Sequence, residues 1–159
     1  MNHDSILIRP AKREDLVEII KMLADDPLGS LREDFSDPLP ASYVRAFTII
    51  DQDPYQELLV AESPKDGIVG TFQLSFIQYL NYQGGSRGQI ESVRVRSHQR
   101  NKGLGEFMFK WAIERTKEKG AHMLQLTTDK KRPDALRFYE KLGFVASHEG
   151  MKHRLGKGL

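Results

Sequence analysis

The sequence predicts an α/β fold, a mixed sheet with helices on both faces, in one domain over residues 1–159. Three observations predict it. Strand-like runs alternate with helix-like runs over only part of the chain. Two adjacent runs, Glu57 to Glu62 and Ile68 to Leu80, are joined by Pro64-Lys65-Asp66-Gly67, a turn in which Pro presets φ and Gly permits positive φ, so the pair reads as a hairpin. A later strand passes through a basic, glycine-bearing turn straight into a long amphipathic helix. At 159 residues the chain fits one compact domain, and a domain of that size buries about 70% of its unfolded surface without a disulfide or metal staple.

In chain order, Ile6 to Arg9 reads as the first strand, ended by Pro10. A helix follows from Lys12 to Ala24, because Leu16, Ile19, Ile20 and Leu23 recur at helical spacing. Residues 25–40 carry Pro27, Gly29, Pro38 and Pro40 among five acids, Asp25, Asp26, Glu33, Asp34 and Asp37; such a stretch is a mobile loop or part of a site. Residues 41–50 read as a short helix, and residues 84–88, after the hairpin, as a flexible connection. Gln89 to Arg96 alternates apolar and polar residues, but the step from Ile90 to Val93 breaks the period and predicts a β-bulge near Glu91 and Ser92. Leu104 to Lys119 is a helix with Leu104, Phe107, Met108, Trp111 and Ala112 on one face and Gly120 as its stop. Met123 to Thr127 is a short strand. Pro133 opens the last helix, on which Ala135, Phe138, Tyr139 and Leu142 share a stripe before Gly143. Phe144 to Ala146 and Met151 to His153 read as a closing hairpin.

Composition narrows the function. With no cysteine, a disulfide scaffold, a thiolate zinc site and a cysteine nucleophile are excluded. The histidines show no metal-ligand spacing, so no metal is expected. No apolar run approaches the roughly 18–20 residues that span a bilayer, and the N-terminus lacks a secretory pattern; a cytoplasmic protein without membrane contact is expected. The net charge of +2 conceals an asymmetry: residues 92–141 hold 13 Lys and Arg against 6 Asp and Glu, and the remainder is acidic. A basic half suits a polyanion, either nucleic acid or a phosphate-bearing cofactor, and an acidic half hints at a cationic acceptor; solvated faces explain both equally well.

The segment that carries chemistry is Val93-Arg94-Val95-Arg96-Ser97-His98-Gln99-Arg100-Asn101-Lys102-Gly103-Leu104-Gly105. A strand runs into a basic turn that opens a helix, whose free first-turn N–H groups and dipole favour an anion. Glycines at 103 and 105 let phosphate oxygens approach the backbone with no Cβ in the way. A P-loop and a dinucleotide fingerprint are both absent. On spacing alone, the two glycines fit a tight structural turn as well as an anion site.

Arg100-Asn101-Lys102-Gly103-Leu104-Gly105 resembles the Arg/Gln-x-x-Gly-x-Gly/Ala signature of the GCN5-related N-acetyltransferase (GNAT) family, and Ala135-Leu136-Arg137-Phe138-Tyr139-Glu140-Lys141-Leu142-Gly143-Phe144 is similar to its second signature. Order and spacing agree over residues 89–145. The resemblance implies a mostly antiparallel twisted sheet of six to seven strands, whose parallel pair, 89–96 and 122–128, splays apart to admit acetyl-CoA. Pyrophosphate would sit on the backbone amides from Arg100 to Gly105, and pantetheine would pair with Val93 and Val95. Arg94, Arg132 and Phe138 complete the implied cofactor contacts. Two positions depart from the pattern: Ser97 stands where the family often has Pro, and Arg132 where it often has a cofactor-contacting Asn.

The same resemblance implies transfer of an acetyl group to a primary amine of a small molecule. Tyr139 stands at the family's general-acid position, and a phenol is protonated at neutral pH. Glu91, on the strand that would present the acetyl group, is the candidate base through water, and a backbone N–H at Val93 the candidate oxyanion donor. The alternatives are a core tyrosine at 139 and a solvent-facing or ion-paired residue at 91. Family members are often dimers, so a homodimer is compatible with the resemblance. The other reading is a non-catalytic module that senses acetyl-CoA or binds nucleic acid through the 94–105 turn; no RNP, zinc-finger or helix-turn-helix pattern supports nucleic acid.

Overall fold

The computed structural model describes residues 5–26, 29–130, 132–153 and 155. Five strands form one sheet in chain order: β1 (Leu7–Pro10), β2 (Gln56–Ser63), β3 (Gly67–Gln78), β4 (Ser86–Val95) and β5 (Met123–Gln125). The first four pair antiparallel, and β4 pairs β5 in parallel. The helices are α1 (Leu16–Ala24), α2 (Ala41–Gln52), a single turn α3 (Asn81–Gly84), α4 (Leu104–Glu118) and α5 (Pro133–Lys141).

Alternation along the strands decides which helix lies on which face. Leu59, Ala61, Phe72, Leu74, Phe76 and Ile90 form one buried cluster with Leu104, Met108, Phe109 and Ala112 of α4. Val60 and Ile68 join Ile19 and Met22 of α1, with Phe47 of α2 packed beside them. Phe107 and Trp111 pack against the first cluster, Trp111 edge-on to Phe72 at 5.9 Å. The sheet is therefore covered on both faces.

The predicted bulge is present. Gln73 pairs with Glu91 and Thr71 with Arg94, so one β3 residue faces two on β4, and Ser92 takes the left-handed φ of 55°.

Three expectations need correction. Residues 84–88 are not a flexible connection: β4 begins at Ser86, and Gly88 is a strand glycine, because a Cβ there would meet Thr116 at 2.9 Å and Leu124 at 3.1 Å. The turn lies earlier, in α3, where Tyr82 and Gln83 have positive φ. The sheet has five strands among the described residues, not six or seven, since residues 144–153 form no strand. Val145 is 81% and Met151 94% exposed, so this segment has no buried face to fix a register. The parallel pairing is displaced from 89–96 and 122–128: it joins Arg87–Gln89 to Met123–Gln125.

One buried charge ties the first strand to the first helix. Arg9 grips Asp15 through both terminal nitrogens, at 2.7 and 3.2 Å, and gives its Nε to Glu62 at 2.6 Å. The Lys12 backbone N–H also donates to Asp15, at 2.7 Å. Burial pushes the Asp15 carboxyl up, but Arg9 and the Lys12 N–H together outweigh it and hold the group below its ordinary range. Glu57 behaves alike: burial opposes ionisation, and the hydrogen bonds from Arg115 and Lys119 prevail. A depressed carboxyl contributes stability that is complete above its unfolded value, about 4, and is lost as pH falls through the lower folded value. Urea unfolding across the acid range is expected to lose stability steeply below pH of about 4. Asp15→Ala is expected to cost about 1–3 kcal/mol at neutral pH by leaving the half-buried Arg9 with Glu62 alone, and to flatten that acid slope; an unaltered slope would remove Asp15 from the acid response.

Candidate active site

The site is built where β4 and β5 part. Their pairing ends at Gln89 and Gln125, whose side chains are joined at 2.8 Å. Beyond it β4 continues to Val95, paired with β3 alone. Arg94 and Val95 pair there with Thr71 and Gly70, so β4 turns its other main-chain edge toward the gap. Val93 and Val95 are half-buried and border a cleft of about 320 Å³ with Asp25, Asp26, Arg94, Arg100 and Arg132.

The turn after β4 brings Arg100 to this cleft and leads into α4. Asn101 and Gly103 have positive φ, 60° and 84°, and no side chain caps the N-terminus of α4. Leu104 is buried and anchors the helix start. A Cβ at Gly105 would make only ordinary contact with Phe138, at 3.7 Å, so Gly105 leaves open space and Phe138 lies beside it. Lys102 is exposed on the same turn.

The arginines do not point freely into the cleft. Arg94 and Arg132 both reach Asp26, at 2.8 and 2.6 Å. Arg100 donates to Asp25 at 2.8 Å and to the Val95 carbonyl at 3.1 Å. Arg96 is held by Glu18 and the Ile68 carbonyl. Burial lowers the Arg94 guanidinium and the Asp26 carboxylate supports it. Its Nε is buried with no partner, an unmet donor at the cleft. Asp25 and Asp26 were legible in the sequence only as loop acids, and their arginine partners make them part of the site. The signal was the charge asymmetry itself, which is partly satisfied inside the chain.

Tyr139 is half-buried among Phe109, Phe138 and Phe144, with ring centroids 5.4–6.1 Å away. Its hydroxyl makes no hydrogen bond among the described residues. Burial raises the phenol above its ordinary value of 10, and the fields of Arg132 and Arg94 oppose this without cancelling it. Glu91 is exposed and accepts from Gln89 at 3.3 Å, one residue before the bulge. His98 is exposed, and His122 stacks on Tyr82 at 5.1 Å. No group of three His, Cys, Asp or Glu side chains among the described residues is arranged to hold a metal. No helix there is long and apolar enough to cross a membrane.

The unmet Arg94 donor, the uncapped start of α4 and the main-chain gap fit a long ligand with phosphates at one end and amides along its length. The model of the acetyltransferase (GNAT) family matches residues 21–144, and the chain belongs to that family. A solved structure described as a transcriptional regulator from Bacillus halodurans C-125 is 54% identical, covering 94% of this chain and 99% of that one with a TM-score of 0.90. The aminoalkylphosphonate N-acetyltransferase of Salmonella typhimurium is 26% identical over 103 residues, which are 65% of this chain and 64%, less than two thirds, of that enzyme. The glucosamine 6-phosphate N-acetyltransferase of Trypanosoma brucei brucei is 28% identical, covering 87% of this chain and 97% of that one.

The raised phenol is directly measurable. Subtracting the alkaline absorbance titration of Tyr139→Phe from that of the wild type is expected to leave one ionisation above pH of about 10. A difference ionising below that value would contradict the burial of this hydroxyl.

Proposed function

We propose that this chain is an acetyl-CoA-dependent N-acetyltransferase that moves an acetyl group to a primary amine of a small molecule, in a ternary complex by direct attack. The observation that carries the reading is the parting of β4 from β5 beside a cleft lined by Val93, Val95 and Arg100, the last on the turn that opens α4 without a side-chain cap. Family membership supports it, and so do two relatives named as N-acetyltransferases of small molecules.

Bound acetyl-CoA supplies the acetyl group. Backbone amides from Arg100 to Gly105, with Lys102 beside them, receive the pyrophosphate, and Val93 and Val95 give their main chain to the pantetheine arm. Arg94, Arg132 and Phe138 flank it. Glu91 takes the proton of the acceptor ammonium through a water, leaving a neutral amine to attack. The Val93 N–H donates to the oxyanion that develops. Tyr139, whose phenol is protonated at neutral pH and raised further by burial, gives its proton to the departing sulfur and takes back the surplus proton of the acetylated nitrogen.

Tyr139→Phe is expected to lower kcat by about tenfold or more while the dissociation constant for acetyl-CoA holds, read by thiol release over a panel of amines. An unchanged kcat would remove Tyr139 from the mechanism.

A second reading, a non-catalytic acetyl-CoA-sensing or nucleic-acid-binding module using residues 94–105, is favoured by one observation, the description of the 54% identical structure as a transcriptional regulator. Against it, Arg94, Arg96 and Arg100 each already hold a carboxylate of this chain. Tight retardation of mixed DNA and RNA at moderate salt, without thiol release, would favour the module.

A further inference from the structure

Arg87 stands apart from the other half-buried arginines among the described residues. Among the described residues five arginines are half-buried: Arg9, Arg87, Arg94, Arg96 and Arg115. Four of them hold a carboxylate. Arg87 has no ion pair and no hydrogen bond among the described residues, and its Nε is buried without a partner. Its guanidinium lies over the rings of Tyr79, at 4.5 Å, and Tyr82, at 5.2 Å. Tyr82 is in turn stacked on His122 at 5.1 Å. The aromatic faces hold the cation in place and stabilise it, yet supply no counter-charge. A buried N–H donor without an acceptor is costly, and an external oxyanion held by the guanidinium would supply the missing counter-charge.

Its position connects it to the candidate site. Strand alternation puts Arg87, Gln89 and Glu91 on one face of β4, while Gly88 and Ile90 face α4. Side-chain hydrogen bonds run along that face from Gln125 to Gln89 and on to Glu91. The neighbouring β3 residue Ile77, paired with Arg87, is 37% exposed, so the face is open at this end. Arg87 and Glu91 are four residues apart, about 13 Å along the strand, a span that an extended small molecule and the long arginine side chain can share.

We propose that Arg87 is the anchor for an oxyanion, phosphate or carboxylate, carried by the amine acceptor at the end remote from its amine. This rests on the acetyltransferase reading for the role of the other end, but not for the binding of the anion. The planar fork of arginine pairs with either oxyanion through two hydrogen bonds, whereas lysine offers a point charge.

Three acceptors differing only in their tail test it: aminohexyl phosphate, aminohexanoate and hexylamine. Calorimetry reads their binding, and thiol release from acetyl-CoA reads their turnover. The wild type is expected to bind at least one of the two anionic amines about tenfold or more tighter than hexylamine, and the stronger of the two identifies the oxyanion. In Arg87→Gln that ratio is expected to fall to near one, and Arg87→Lys to recover part of it, with melting temperatures confirming that both variants fold. A wild-type ratio near one, or a ratio that Arg87→Gln leaves intact, would overturn the proposal. Arg87-dependent binding without thiol release from any amine would uphold the anion site and overturn the transferase reading instead.

Discussion

The parting of β4 from β5 is the constraint on which the candidate site depends. A parallel pair normally continues as far as both strands last, because each buried main-chain N–H and C=O needs a partner. Here β5 itself ends at Gln125 after three paired residues, while β4 runs on to Val95 paired with β3. The bulge at Ser92 falls immediately beyond this point and adds local twist to β4. The result is a main-chain edge with room beside it, bounded at the top by the basic turn and the start of α4. Burial of Ile90 against α4 keeps β4 fixed on its apolar face while its other edge stays open.

Around that opening, charge is arranged as a network within the chain. The end of α1 supplies Asp25 and Asp26, and β4, the basic turn and the segment before α5 supply Arg94, Arg100 and Arg132 in that order. Asp26, with its side chain 10% exposed, joins two arginines that come from opposite sides of the cleft. This fixes the walls and reduces the positive field that an incoming anion meets. It also weakens the idea that the acidic half awaits a cationic acceptor, since these acids already have cations. Arg87, a half-buried arginine with no ion pair among the described residues, lies at the other end of β4.

Much of this was legible in the sequence where local pattern is decisive. The broken alternation between Ile90 and Val93 announced the bulge, and Gly103 ahead of the Leu104–Met108 stripe announced the helix start, because both depend on residues close together in the chain. The place of Tyr139 on the last helix was legible from its apolar stripe, although its packing on Phe109 was not. Long-range partners were out of reach: Asp26 and Arg132 are 106 positions apart. Glycine misled at residue 88, where the missing side chain makes room for Thr116 rather than loosening the backbone. β-propensity misled at Val145 and Met151, which have little to pack against among the described residues.

The most direct measurement is calorimetric titration of acetyl-CoA into the wild type and Gly103→Val. Gly103 needs its left-handed φ of 84° to open α4, and a β-branched residue is strained there. Dissociation constants near about 1 μM for the wild type, with binding lost in a variant that still melts cooperatively, are the result expected. No heat from the wild type at millimolar acetyl-CoA, or equal affinity in the variant, would contradict the assignment of this turn as the cofactor site.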